Sequence, residues 1–343
     1  MRILNFSTKD IGVDLGTANI LITLKGKGIV LTEPSVVAID CVTSEIVATG
    51  YEAKEMLGRT PEKIKALRPM QDGAIADLTA TSLMLKNMIK KVLRKYNVGK
   101  PKAIIGVPTC ITEVEEKAVI EAVFQCGAKE VYLVDEPMAS AIGAGINVAE
   151  PKGNMIVDIG GGTTEVAVIS LGGIVTSTSI KTAGNAIDDS IIRYLKKYEK
   201  IAIGQTTAEK LKIELGSAEK PVTDITREVR GRDIETGLPK NAKITSKQIE
   251  KAMQKPVGDI IEAITNTLAK TEPELVSDIM ENGIYLAGGG AQIKSLDNLI
   301  AQKVGIQTYI ADAPLNCVAV GTGRILENTE KYNRVIESRK TTK

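Results

Sequence analysis

The chain has 343 residues, of which 43% are apolar and 25% charged, and its formal net charge is +2. That length exceeds what one hydrophobic core usually supports, so two lobes are expected, and so balanced a charge gives no bulk field for nucleic acid. Histidine is absent, which excludes Ser-His-Asp and Cys-His catalysis and any histidine-held metal.

Residues 1–10 include Arg2 but no long apolar core and no cleavage site, so they do not read as a secretory signal. No apolar run approaches the roughly 20 residues of a membrane-spanning helix. A cytosolic protein is expected. The four cysteines, Cys41, Cys110, Cys126 and Cys317, lie far apart without a Cys-x-x-Cys pair. They are expected to be buried thiols in a reducing compartment.

The chain opens with a predicted β-meander. Ile11-Gly12-Val13-Asp14 runs into a turn at Gly16, Ile20 to Leu24 returns, and Ile29-Val30-Leu31 follows a turn at Gly26 to Gly28. Leu85, Met88, Ile89, Val92, Leu93 and Tyr96 form an amphipathic helical stripe. Thr112 with Glu115 makes a capping box for a second helix, and Pro137, after Asp135-Glu136, suits the start of a third. Met155-Ile156-Val157-Asp158 then leads into Gly160-Gly161-Gly162, with a return strand at Val166 to Ile169, a Gly172-Gly173 turn and Ile174-Val175.

Apolar strand, aspartate, glycine turn and return strand thus occur twice, about 144 residues apart, which points to a duplicated domain. The charged stretch from about 219 to 247, with Pro221, Gly231, Gly237 and Pro239, reads as the outer part of a subdomain. Strand Ile284-Tyr285-Leu286 enters Gly288-Gly289-Gly290, and only the last dozen residues look tail-like. Mixed strands and helices indicate an α/β protein.

Three glycine turns each follow an apolar strand, and two are headed by an aspartate. Such turns present backbone N–H groups to phosphate oxygens and let a ligand approach without a Cβ in the way. Asp14 and Asp158 end their strands, one in each half. If the halves face each other, two carboxylates converge, as suits Mg²⁺ held directly or through water. Each aspartate also suits a simpler role, capping its own turn. There is no Gly-x-x-x-x-Gly-Lys-Ser/Thr sequence and no dinucleotide fingerprint after the first strand, so another architecture must hold the phosphates.

Asp14-Leu15-Gly16-Thr17-Ala18-Asn19 resembles the first phosphate loop of the actin and sugar-kinase superfamily. Asp158-Ile159-Gly160-Gly161-Gly162-Thr163-Thr164-Glu165 is similar to its second, and Leu286-Ala287-Gly288-Gly289-Gly290-Ala291 to its adenosine loop. Glu33 to Ala38, Ile111 to Glu115, Glu136 to Ala139 and Glu274 to Ile279 resemble segments of the MreB family of bacterial actins. The resemblance runs in register from about residue 10 to 328.

The resemblance implies an actin fold: two duplicated lobes, each a mixed sheet with flanking helices, and a nucleotide cleft between them. Residues 1–34, 78–146 and 316–343 would form one inner subdomain and 35–77 its outer partner. Residues 147–184 and 248–315 would form the second inner subdomain, with 185–247 outside it. The backbone around Gly16, Thr17, Ala18 and Asn19 would cradle the phosphates of ATP or ADP, with Gly160, Gly161, Gly162 and Thr163 holding them from the other lobe. Gly288, Gly289, Gly290 and Ala291 would line the adenosine pocket, and Glu209 and Lys212 would contact ribose and base. Asp14 and Asp158 would place Mg²⁺ through water, and Glu136 and Thr163 would orient the hydrolytic water. Glu136 also suits a helix N-terminus, where a carboxylate answers the dipole.

The implied function is that of a slow, Mg-ATP-dependent cytoskeletal ATPase. It would polymerise with itself and act on cell shape with other cell-shape proteins, in the cytoplasm against the inner face of the membrane. Two rivals lie in the same superfamily. A monomeric small-molecule kinase would need a base for its second substrate, and none stands out; a chaperone ATPase would need a longer chain.

The sequence departs from the family after Tyr96, where relatives carry an apolar loop that enters the bilayer. Here Tyr96 to Pro101 holds only one or two apolar residues. Around it Lys86, Lys90, Lys91, Arg94, Lys95, Lys100 and Lys102 occur without an acidic residue, and the C-terminus adds Lys331, Arg334, Arg339, Lys340 and Lys343. Segment 86–102 and the tail are therefore expected to meet an anionic membrane through charge, although a solvated helix face reads equally simply. Asn185 stands where relatives often carry an acid.

Overall fold

The computed structural model describes residues 9–71, 73–337 and 340–341. The chain divides into two compact units: residues 1–151, 169–174 and 315–343, and residues 152–168 and 175–314.

The first unit is built on a six-stranded sheet ordered Gly28–Pro34, Asn19–Leu24, Ile11–Leu15, Lys102–Val107, Glu130–Asp135 and Lys340–Thr341. The predicted meander supplies the antiparallel strands, and its turn glycines Gly26 and Gly28 both have positive φ. Strands Ile11–Leu15, Lys102–Val107 and Glu130–Asp135 run parallel. Parallel strands need crossovers, and helix Glu113–Phe124 supplies the one between the last two.

Local chemistry sets the helix ends. The Asp77 side chain accepts from Ala80 N to start helix Leu78–Tyr96, which stops at Asn97 in the left-handed region. Thr112 and Glu115 form the predicted capping box. The amphipathic stripe of helix Leu78–Tyr96 buries Met84, Leu85, Met88, Ile89 and Val92 with Ile11, Val13 and Leu15 of the sheet. A small sheet of Ile46–Thr49, Val37–Asp40 and Ile64–Leu67, with helix Tyr51–Met56, has its own minor core of Val36, Ala38 and Ala53.

The second unit carries a five-stranded sheet ordered Gly173–Ile180, Thr164–Ser170, Asn154–Ile159, Ile284–Ala287 and Thr308–Ile310, the last three parallel. Helices Gly184–Tyr198, Ser246–Ala269 and Leu296–Val304 bury Ile187, Ile191, Ile260, Ile264 and Ile300 with Val157 and Leu286 of the sheet. Residues 219–247, read from sequence as outer, form mainly the hairpin Thr226–Asp233 and Pro239–Thr245, extended by Ile201–Ala202.

Two expectations are corrected. The cysteines are thiols but not all buried: Cys41 and Cys110 are exposed, Cys126 is half-buried, and only Cys317 is buried. Cys41 follows strand Val37–Asp40 in a turn and Cys110 lies in the loop before helix Glu113–Phe124, where the chain meets solvent. Nor is the C-terminus simply a tail. Helix Asn333–Glu337 buries Val335 and Ile336, and Lys340–Thr341 pairs antiparallel with Tyr132 and Val131. Arg2, Arg339 and Lys343 lie outside the described residues. Among the described residues no helix is long and apolar enough to cross a membrane.

Candidate functional site

In the first unit the residues singled out by sequence gather at the carboxyl ends of the parallel strands, where open α/β sheets bind ligands. Asp14, buried at 7% exposure, pairs in register with Gly106, and neighbouring Val107 pairs with Asp135. Glu136 opens helix Glu136–Ala144 directly after that last strand, with Pro137 in the first turn. An ideal Cβ on Gly106 would lie 3.8 Å from Glu136 Cγ, so the Glu136 side chain lies close to the end of Asp14's neighbouring strand.

The turn after Asp14 is tight: a Cβ on Gly16 would stand 2.7 Å from the Asn19 carbonyl oxygen. Thr17 is buried within it. Ser35 braces the turn twice, its Oγ donating to Gly16 O at 2.6 Å and its N–H to Ala18 O at 2.9 Å. Nothing local in the sequence links Ser35 to residues 16–18, so this role is visible only in the fold.

In the second unit Asp158, 8% exposed, pairs in register with Ala287, so the second and third glycine turns leave adjacent parallel strands. Gly160 N–H donates to Thr163 O at 2.9 Å and closes the second turn, with Thr163 buried. Gly288, at φ +77, begins the third, and residues Gly289–Gln292 follow as a 3₁₀ turn that buries Gly290 and Ala291.

The start of helix Gly184–Tyr198 completes this arrangement. Gly184 N–H donates to Gly160 O at 3.1 Å and Asn185 N–H to Gly161 O at 2.8 Å. Both N–H groups are thus engaged by the turn, and the backbone of the helix start braces it.

Glu209 and Lys212 sit one turn apart on helix Gln205–Leu215. Lys212 Nζ lies 2.9 Å from Asp188 Oδ1 and donates to Gly184 O at 3.0 Å. Burial pushes the Asp188 carboxyl up to about 6, the Lys212 ammonium opposing it and the nearby Glu209 charge adding to it. Asp188 was not foreseen from sequence, because an acid four residues into a helix carries no mark of its own.

Asp14 and Asp158, each by itself, suit a water-held Mg²⁺ rather than a caged ion. Among the described residues no cluster of three or more acidic or cysteine side chains could hold a metal, whereas Asp14 and Asp158 are single buried carboxylates at strand ends. Mg²⁺ characteristically takes one or two carboxylates together with waters and substrate phosphates.

The MreB/Mbl protein family model matches residues 8–334. The chain belongs to the MreB/Mbl family. It is 48% identical over 323 residues to the cell shape-determining protein Mbl of Bacillus subtilis, covering 94% of this chain and 97% of that protein. It is 47% identical over 331 residues to the cell shape-determining protein MreB of Escherichia coli K12, covering 95% of each. Among solved structures, the ADP-bound MreB5 of Spiroplasma citri superposes with a TM-score of 0.89 at 40% identity, covering 96% of this chain and 98% of that one. As an MreB/Mbl member the chain is an actin-like cytoskeletal protein with the actin fold expected from its sequence.

Proposed function

We propose that this MreB/Mbl protein binds ATP with Mg²⁺, hydrolyses it slowly, and assembles with itself into membrane-associated filaments that control cell shape. The observation that carries the reading is the placing of three glycine turns, two headed by buried aspartates, at the carboxyl ends of parallel strands. Support comes from the ADP bound by the Spiroplasma citri relative and from the cell shape-determining relatives.

In this reading the backbone of Gly16 to Asn19 and of Gly160 to Thr163 takes the phosphates, and Gly288 to Ala291 takes the adenosine. Glu209 and Lys212 border the ribose and base. Asp14 and Asp158 would hold the metal through water. Bound Mg²⁺ neutralises phosphate charge. Glu136 accepts a hydrogen bond from the attacking water, and the Thr163 hydroxyl helps fix its position; the chemistry is chiefly positioning. The four subdomains expected from the sequence are part of the same proposal.

Membrane contact falls to the basic helix. Lys91 is held by Glu33 at 2.9 Å and Lys102 by Glu130 at 3.0 Å, which leaves Lys86, Lys90, Arg94, Lys95 and Lys100 as the charges offered to anionic lipid. The location is then cytoplasmic, on the inner face of the membrane.

Sedimentation and negative-stain microscopy test the central claim. Filaments are expected with Mg-ATP, and monomers alone across a wide range of protein and salt concentrations would refute assembly.

A further inference from the structure

Asp188 meets the residues expected to contact the nucleotide through Lys212. Its carboxylate holds the Lys212 ammonium at 2.9 Å, and both side chains are largely buried, at 8% and 16% exposure. The same ammonium donates to Gly184 O. A Cβ on Gly184 would lie 3.4 Å from Lys212 Nζ, 3.3 Å from Gly160 O and 3.6 Å from Gly161 Cα. Lys212 thus stands where the helix start meets the second glycine turn. The backbone of that helix start holds the turn through two hydrogen bonds, Gly184 to Gly160 and Asn185 to Gly161.

A lysine has a long, flexible stem and a strongly hydrated head, so a fixed position near a ligand site needs a fixed partner. Asp188 is that partner, one turn beyond Gly184 on the same helix. We propose that Asp188 is a positioning residue of the nucleotide site, acting through Lys212 to hold the Gly184 helix start and the Gly160 to Thr163 turn in their ligand-binding form. The inference rests on the nucleotide reading above and adds to it a residue outside the phosphate and adenosine turns.

The pair is buried, so removing one partner leaves an uncompensated charge while removing both does not. A double-mutant cycle therefore separates action through Lys212 from independent action. Mg-ADP affinity is measured by calorimetry for the full-length wild type, Asp188→Asn, Lys212→Met and the double variant. Thermal melting of each reports folding. Asp188→Asn is expected to weaken Mg-ADP binding roughly ten-fold in the wild-type background and by less than about two-fold in the Lys212→Met background.

Half-saturating ATP should rise in Asp188→Asn, and turnover at saturating ATP should fall less than in Glu136→Ala, because Asp188 acts through the turn and not on the reacting water itself. Amide hydrogen exchange adds a local readout. Gly184 and Asn185 N–H should exchange faster in Asp188→Asn, while core amides such as those of Val157 and Leu286 keep wild-type protection. Glu214→Gln, on the same helix but in an exposed pair with Arg227, is the control and should bind as wild type.

Equal weakening by Asp188→Asn in both backgrounds, or none in the wild type, overturns the inference. Wild-type protein that binds neither Mg-ADP nor Mg-ATP overturns the nucleotide reading instead. If Asp188→Asn fails to fold, the comparison of Lys212→Met with the double variant still decides: a ten-fold difference between them shows that Asp188 acts independently of Lys212.

Discussion

Gly288 lies directly against Asp158: a Cβ at Gly288 would stand 2.5 Å from Asp158 Oδ1 and 2.4 Å from the Ile159 carbonyl oxygen. The third and second glycine turns are thereby packed to backbone contact, which only a residue without a Cβ permits. Gly288 also has φ +77, where other residues are strained. Gly288→Ala should cost about 2 kcal/mol or more in urea unfolding and weaken Mg-ADP binding with it. An alanine variant with wild-type stability and affinity would show that the two turns separate easily.

Glu136→Ala is expected to lower phosphate release roughly ten-fold or more while leaving ATP affinity nearly unchanged, the pattern for a group that orients the attacking water. The glutamate opens its helix, so the variant also loses a favourable dipole contact. That loss should appear in thermal melting and not in affinity. Equal losses of affinity and turnover would make Glu136 a wall of the pocket.

Asp14→Ala and Asp158→Ala should each reduce the Mg²⁺ dependence of ATP binding, since each removes a buried carboxylate from the end of a parallel strand. Calorimetry of ATP with Mg²⁺ and with a chelator measures this. Unchanged Mg-ATP binding together with normal turnover in either variant would remove that aspartate from the metal site.

The Tyr132 hydroxyl donates to Glu130 at 2.6 Å, and Lys102 lies 3.0 Å from the same carboxylate. These contacts hold Glu130 down to about 2, and the bond to Glu130, with burial, pushes Tyr132 up to about 12. The depressed carboxylate stabilises the fold above its ordinary value of 4.5, and this contribution is lost as pH falls through about 2. The raised phenol stabilises below its ordinary value of 10, and this is lost as pH rises through about 12. In an alkaline titration followed by tyrosinate absorbance, Tyr132→Phe should remove one late-ionising group, and Glu130→Gln should bring that group back toward 10. Loss in Tyr132→Phe of a group that titrates near 10, with the late-ionising group kept, would disprove the pairing.

Liposome binding should need anionic lipid and fall steeply with salt, because exposed charges are screened within about 8 Å at physiological ionic strength. Changing Lys86, Lys90, Arg94 and Lys95 to glutamine should weaken co-pelleting strongly. Lys331→Gln with Arg334→Gln should weaken it less, and that pair avoids truncation, which would strip the buried Val335 and Ile336 from the fold. Equal binding to neutral lipid, or binding that survives high salt, would point to an apolar anchor, since apolar burial does not depend on charge.

By itself the sequence determined the features that rest on neighbouring residues. A run such as Ile11 to Asp14 before Gly16 can only be a strand meeting a turn, and the same run before Gly160 announces the second copy. The spacing of Leu85, Met88, Ile89 and Val92 marks a buried helix face, and Thr112 with Glu115 marks a helix start, because capping and amphipathic periodicity act over one or two turns. The glycine turns, and so most of the candidate nucleotide site, were legible for that reason.

Only the tertiary structure decided what depends on residues far apart in the chain. Ser35 bracing Gly16, Gly184 meeting Gly160, and Lys212 held by Asp188 join residues 19 to 24 positions apart on separate elements. The pairing of Lys340–Thr341 with Val131 and Tyr132 spans most of the chain, and the exposure of Cys41 and Cys110 follows from where their loops meet solvent. Sheet register, burial and the partner of a charged side chain depend on which surfaces the completed core brings together, and no local pattern of residues carries that information.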